Sequence, residues 1–316
     1  MKVLALFLAL LVQADDTEKG LQTLKAADIE KHQVVLSSDA MEGREAGSDG
    51  GHKAALYIAE QLKTWKLAPG GVDGTYFQPF GKPAAAKPGE KGKKNILAVR
   101  PGIDPKLKDE FVVIGAHYDH VGRGRRNSNG GKVGEVHNGA DDNASGASTV
   151  LDIAEAVSQC RFKRTVICMW FDGEENSLEG SRYWAANPTL PVEKCFAMIN
   201  CDMIGRNDPK KLIIGVEKEP SLEPKYPKWA SLLKEVETQA AMSWDWSSFD
   251  SFIRRSDHWP FMEKGVPALF FTAGLHADYH KDTDDIEKIN FAKEEMVARI
   301  SFTILSRAAN LEGSLR

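Results

Sequence analysis

Cysteine is scarce in this chain of 316 residues, with four in all, Cys160, Cys168, Cys195 and Cys201. Cys168 and Cys201 lie inside apolar runs that read as central strands, where cysteine behaves as a small hydrophobe, so both are expected to be buried free thiols. A Cys160–Cys195 bridge stays open. Clustered basic charge is lacking too. The 41 Lys and Arg against 45 Asp and Glu leave a net charge of −4, and the cations are scattered along the chain. Without a basic footprint, nucleic acid is not an expected partner. Past the first residues no apolar run is long enough for a transmembrane helix. No internal repeat and no break in composition divide the chain, which favours one domain over two.

The first residues carry the one sorting signal. Lys2 supplies a short basic region, Val3 to Val12 an apolar stretch, and Val12-Gln13-Ala14 a small-residue cleavage pattern, so residues 1–14 read as a signal peptide. About ten apolar residues are too few to span a bilayer comfortably. No Cys follows them, which leaves no point for lipid attachment. The expectation is a secreted or periplasmic protein starting at Asp15, with no stable membrane insertion after cleavage.

Further along, helical periods recur in Asp15 to Leu36, Ala54 to Trp65, Val150 to Val157, Gly180 to Ala186, Lys228 to Ala240 and Phe291 to Leu305. Between them lie apolar runs of strand length: Phe111 to Ala116, Arg164 to Phe171, Cys195 to Cys201, Leu212 to Val216 and Pro267 to Thr272. Asn95 to Arg100 alternates and fits an edge strand. Lys82 to Lys94 reads as an exposed connection, and Gly122 to Gly134 as a rim or lid loop. Ser243 to Phe252 reads as irregular and pocket-forming. Strands alternating with helices predict an α/β fold, a three-layer α/β/α sandwich around a mostly parallel, mixed central sheet.

Position is the informative feature of the polar residues. His117 and Asp119, Glu174 and Glu175, Asp202, and the run from His276 to Asp284 each follow a buried strand, and Asp141 and Asp142 precede a helix. Open α/β sheets bind ligands beyond the carboxyl ends of their strands, so these segments converge. Many carboxylates with a few imidazoles and no clustered Lys or Arg repel one another unless a divalent metal compensates them. Two His with an excess of Asp and Glu favour zinc, with manganese or cobalt as substitutes. The surplus of carboxylates points to two metals.

The motifs His117-Tyr118-Asp119, Gly139 to Gly146, Glu174-Glu175, Asn200-Cys201-Asp202-Met203, Ser256-Asp257-His258 and Tyr279-His280, in that order and rough spacing, resemble the M28 zinc aminopeptidases, which are co-catalytic di-zinc metallopeptidases. Gly43 to Gly50 and Tyr76 to Phe80 extend the resemblance upstream. It implies that Asp142 bridges two zinc ions, with His117 and Asp202 on one and Glu175 and His280 on the other. It makes Glu174 the general base, and it places Asp119 behind His117 and Asp257 beside the site. It also implies a cis peptide between Asp142 and Asn143. The short connection after Gly81 leaves no room for the extra domain of some relatives, so 15–316 is expected to be a single M28-like domain.

The expected function is a secreted exopeptidase, most simply an aminopeptidase acting on peptides with a free N-terminus through metal-activated water. A carboxypeptidase or dipeptidase on the same scaffold and a glutaminyl cyclase-like transferase are the alternatives; a non-catalytic binding module, which would have lost ligands or base, fits least. His120 and His137 read as rim or hydrogen-bonding neighbours, and His258 as a structural histidine. Arg254 and Arg255 are surface charges by default, or groups that meet a substrate carboxylate.

Overall fold

The computed structural model describes residues 16–81, 90–124, 128–130, 133–217 and 225–315. The expected signal peptide, most of the connection at 82–94 and parts of the loop at 122–134 lie outside the described residues.

One mixed sheet organises the chain. Its strands are β1 (Ala68–Pro69), β2 (Phe77–Pro79), β3 (Lys94–Arg100), β4 (Phe111–His117), β5 (Thr165–Phe171), β6 (Cys195–Cys201), β7 (Lys211–Val216), β8 (Ser243–Asp245) and β9 (Ala268–Thr272). The order is β1-β3-β5-β4-β6-β9-β7-β8, with β2 also paired to β3. The centre, β5-β4-β6-β9, is parallel, and antiparallel pairings at β3–β5 and β7–β9 close both sides. Every residue of β4 and β5 is buried. Parallel strands are covered on both faces, which is why these segments read as unbroken apolar runs.

The pleat sends alternate side chains into two cores. Val112, Ile114 and Ala116 join the larger, with Val166, Cys168 and Trp170. Phe111 and Val113 join the smaller, with Ile167, Met169 and Phe171. Residues 16–23 form helix α1, followed by α2 (Ala26–Leu36), α3 (Asp49–Thr64), α4 (Gly146–Gln159), α5 (Glu179–Ala186), α6 (Pro227–Glu237), α7 (His258–Glu263) and α8 (Phe291–Asn310). Helices α2, α3, α4, α6 and α8 supply the larger core; α5 and α7 supply the smaller one through Trp184, Phe261 and Met262. The result is the α/β sandwich that the alternation of elements predicted.

Two expectations change. β3 is not an edge strand, because Ala68–Pro69 and Phe77–Pro79 pair antiparallel along its outer side. These covering strands are short and end in proline, which cannot donate to a further strand and so blunts the true edge. The segment from Ser243 begins not irregularly but as β8, parallel to β7 with Trp244 buried. Three residues are too few for a period to register. Cys160 and Cys195, whose bridge the sequence left open, are unbridged, and Cys168 and Cys201 are the buried free thiols expected. Cys160 belongs to the larger core and Cys195 to the smaller, so the sheet separates them.

Candidate metal centre

The carboxyl ends of β4, β5 and β6 set the site. His117 ends β4, Glu174 and Glu175 follow β5, and Asp202 follows β6. Asp142 sits in the tight turn Ala140–Ser145 that enters α4, with a cis peptide to Asn143. His280 lies in the loop after β9 with positive φ. Of the two acids in the turn, Asp142 alone points inward. Its Oδ1 is 3.3 Å from His117 Nε2, and its Oδ2 is 3.1 Å from His280 Nε2. Asp202 Oδ1 is 3.4 Å from the same His117 nitrogen, and Glu175 Oε2 is 3.0 Å from the same His280 nitrogen. One carboxylate therefore faces two imidazoles, each with a further carboxylate beside it.

Among the described residues, donor atoms close enough to share an ion form two groups, His120 with Asp142, Glu175 and His280, and His117 with Glu174 and Asp202. His120 stands nearer than a rim residue. It is buried, and its Nδ1 is 3.0 Å from Glu175 Oε1, which leaves the other oxygen of Glu175 to His280. Asp119 is fully buried behind the cluster. Its carboxylate accepts the backbone N–H of Glu174 at 3.1 Å and that of Glu175 at 3.4 Å, while its carbonyl oxygen lies 3.2 Å from His117 Nδ1. A proton held on Nδ1 by that carbonyl turns the Nε2 lone pair toward Asp142 and Asp202.

The other candidates occupy supporting positions. Asp141 turns away, accepting the Gly205 N–H at 2.6 Å and lying 3.2 Å from His276. Asp284 Oδ2 accepts the N–H groups of both Asp141 and Asp142 at 3.0 Å. Asn143 Oδ1 accepts the Gly146 N–H at 2.9 Å and so caps α4. His137 turns into its own loop, with Nε2 3.1 Å from Ser128 Oγ. His258 is buried and stacked on Phe270 at 4.4 Å. Asp257 is buried close by; burial pushes its carboxyl up to about 7, with His117 opposing and Asp119 and Asp202 adding.

Arg44 is the supporting residue that the sequence reading missed. Fully buried, it donates to four carbonyl oxygens: Leu36 at 2.6 Å, Tyr118 at 2.8 Å, Asn138 at 2.7 Å and Gly139 at 3.0 Å. It thus ties the N-terminal segment to the chain beside His117 and to the turn before Asp142. In sequence it is one charge among glycines, indistinguishable from a solvated loop residue. Burial lowers its pKa to about 10, against the pull of Asp142 and Asp119.

The electrostatics disclose what the cluster lacks. Burial alone would lower the His280 pKa, but bonds to Asp142 and Glu175 carry it up to about 11. His117 is likewise raised against its burial, by Asp202 and Glu174. Burial would raise the Asp142 carboxyl, yet His117 and His280 hold it well below the carboxylate range. Glu174 behaves oppositely: burial raises it well above that range, His117 opposing and Asp202 and Glu175 adding. Carboxylates that draw protons onto imidazoles are short of positive charge, and a divalent ion can supply it in place of those protons. The donors are nitrogen and oxygen with no thiolate among them, a set that fits zinc, manganese or cobalt.

A cavity of about 40 Å³ opens onto His117, Asp142, Glu174, Asp202 and His280, walled by Phe252, Phe270 and Leu275. Beside it, a cleft of about 520 Å³ runs past Glu174, Glu175, Tyr279 and His280.

Comparison with known proteins agrees with this architecture. The family model of peptidase family M28 matches residues 95–305. The chain belongs to peptidase family M28, and thereby to the metallopeptidases. It is 28% identical over 271 residues to leupeptin-inactivating enzyme 1 of Streptomyces exfoliatus, covering 83% of this chain and 52% of that protein. It is 29% identical over 198 residues to leucine aminopeptidase 1 of Arthroderma gypseum, covering 61% of this chain and 48% of that protein. The chain thus spans about half the length of the curated relatives it matches. Among solved structures, the aminopeptidase from Aneurinibacillus sp. strain AM-1 superposes with a TM-score of 0.70 at 18% identity, covering 95% of this chain and 97% of that one. BSAP, a zinc aminopeptidase from Bacillus subtilis, gives 0.67 at 17% identity, covering 92% and 97%. At such identities these superpositions establish the fold.

Proposed function

We propose that the chain is an exported zinc aminopeptidase that hydrolyses the first peptide bond of substrates with a free N-terminus. In this reading His117 and Asp202 hold one zinc ion, Glu175 and His280 hold a second, Asp142 bridges them and Glu174 is the general base. The observation that carries it is the Asp142 carboxylate, with one oxygen 3.3 Å from His117 and the other 3.1 Å from His280. The names of the relatives, leucine aminopeptidase and zinc aminopeptidase among them, support the same substrate class and metal. The basic, apolar and small-residue pattern of residues 1–14 supports export. The continuous sheet from β1 to β9 supports a single catalytic domain over the described residues.

When bound, zinc supplies Lewis acidity that lowers the pKa of water and polarises a carbonyl. The residues of the chain do the rest. Glu174, whose burial favours holding a proton, takes one from the attacking water and delivers it to the leaving amine as the C–N bond breaks. Asp119 fixes Glu174 and Glu175 through their N–H groups, so base and ligand share one anchor. The carboxylate-rich floor suits a cationic α-amine and leaves Glu174 beside the bond one residue further on. Among the described residues no helix is long and apolar enough to cross a membrane.

The test is to measure zinc per chain, and then to compare cleavage of a free-amine peptide with its N-acetylated and C-amidated forms. Loss on acetylation alone is expected. Loss on amidation alone would refute the aminopeptidase and favour a carboxypeptidase. One zinc with cyclisation of N-terminal Gln would favour the transferase.

A further inference from the structure

Arg255 lines both the small cavity that holds Glu174 and Asp202 and the wider cleft beside it, and Arg254 lines that cleft with Arg182. Three guanidinium groups thus border the most acidic part of the molecule. Arg182 is already paired, with Glu263 at 3.1 Å. Arg254 and Arg255 are exposed and, among the described residues, pair with no carboxylate. Each instead lies over an aromatic ring, Arg255 at 5.6 Å from the centre of Phe252 and Arg254 at 5.0 Å from that of Trp259. A guanidinium over a ring is oriented without being neutralised, and its in-plane N–H groups remain free for a planar anion. Phe252 in turn forms part of the cavity wall.

We infer that Arg255, with Arg254 beside it, is the receptor for a carboxylate of the substrate, and that this enzyme prefers peptides carrying one close to the bond it cuts. The inference rests on the aminopeptidase reading and names the substrate class within it. The carboxylates of Asp142, Glu174, Glu175 and Asp202 would be balanced by the two zinc ions proposed there, so in the loaded enzyme the unpaired guanidinium groups at the border set the charge that a substrate meets. Arg255 is the unpaired cation on the cavity wall, where it can meet a carboxylate of the substrate. The 520 Å³ cleft, lined by Arg254 and Arg255, leaves room for them to meet an anion.

The carboxylate has two possible sources, an acidic first side chain or the α-carboxylate of a dipeptide, and the substrates separate them. Zinc-loaded enzyme is assayed on peptide amides beginning with Asp or Glu against Asn or Gln, and on Ala-Ala against Ala-Ala amide. Wild type is expected to favour the carboxylate-bearing member of at least one pair. Arg255→Gln should lower that preference by about 10- to 100-fold, the worth of one charge-assisted hydrogen bond, chiefly through KM. Arg255→Lys should restore part of it, and Arg254→Gln should show a smaller loss. Loss on the Asp and Glu pairs assigns the anion to the first side chain, and loss on the dipeptide pair assigns it to the α-carboxylate; either supports the inference. Equal preference in wild type and Arg255→Gln, or wild type favouring the neutral members, would overturn it while leaving the aminopeptidase standing. Hydrolysis of none of these free-amine substrates would overturn both.

Discussion

Replacing Asp119 by Asn tests whether the site depends on a residue that touches no metal in the proposed ligand set. Its two carboxylate oxygens accept the N–H groups of Glu174 at 3.1 Å and Glu175 at 3.4 Å, with no exposure to solvent. Asn keeps the shape but turns one acceptor into a donor, so whichever way the amide lies, one buried N–H faces another N–H. A hydrogen bond to a charged group contributes about 1.5–3 kcal/mol, and a buried donor left without an acceptor costs about 1–3 kcal/mol. Asp119→Asn should therefore destabilise the protein by about 2–3 kcal/mol and let the Glu174-Glu175 turn drift. The anion 3.5 Å from His117 Nδ1 is lost as well. Removing such support behind a metal-bound histidine typically weakens metal binding by about 10- to 100-fold. Competition for zinc against a chromogenic chelator measures the affinity, and denaturant titration of the zinc-free protein measures the stability. If Asp119→Asn holds zinc and cleaves peptide within about threefold of wild type, Asp119 does not organise the site.

Glu174→Gln should retain zinc while losing about 10²- to 10⁴-fold in kcat, the usual contribution of a general base; loss of zinc would make Glu174 a ligand instead. Asp284→Ala removes the common acceptor of the Asp141 and Asp142 N–H groups, each at 3.0 Å, and should cost about 2–6 kcal/mol. A shift of under 1 kcal/mol by denaturant titration would mean that the turn holds without it. His32, whose Nδ1 lies 2.8 Å from the Tyr57 hydroxyl, gives a pH test: burial lowers its pKa from 6.5 to about 4. The unfolded chain binds the proton first, so this stability is intact above pH 6.5 and is lost as pH falls toward 4, by up to about 3 kcal/mol in all. His32→Gln should flatten that slope between pH 4 and 6.5, and an unchanged slope would assign the acid sensitivity elsewhere.

What the sequence revealed and what it hid divide along physical lines. Buried parallel strands announce themselves because both faces must be apolar, so β4, β5, β6 and β9 could be placed within a residue or two, and with them the positions of His117, Glu174, Glu175 and Asp202. The choice of Asp142 over Asp141 could not come from composition, since two adjacent acids look alike until the turn directs one inward and the other to Gly205. β8 escaped because three residues carry no period, and β3 was misplaced because its covering strands lie in a turn-rich stretch. Of the two roles open to His120, rim or hydrogen-bonding neighbour, the structure shows the second, and the sequence could not choose because its approach to Glu175 depends on how two loops meet. Arg44 was invisible for a related reason: its partners are backbone carbonyls, and no residue type signals a carbonyl that needs a donor.

Arg44 also bears on the order in which the molecule can be completed. Its acceptors at Tyr118, Asn138 and Gly139 lie 74, 94 and 95 residues further along the chain. Such closures add little to the entropic cost of a long loop, yet they are made late, after local contacts have formed. The sheet centre and every proposed zinc donor lie within residues 95–305, the stretch the family model matches, while the guanidinium that ties two of their loops comes from before it. A chain with an intact sheet but an undocked N-terminal segment would still hold His117 at the end of β4, yet the turn that carries Asp142 would lack the guanidinium bonds at Asn138 and Gly139. The position of the carboxylate proposed to bridge two zinc ions is thus braced from outside the stretch that the family model matches.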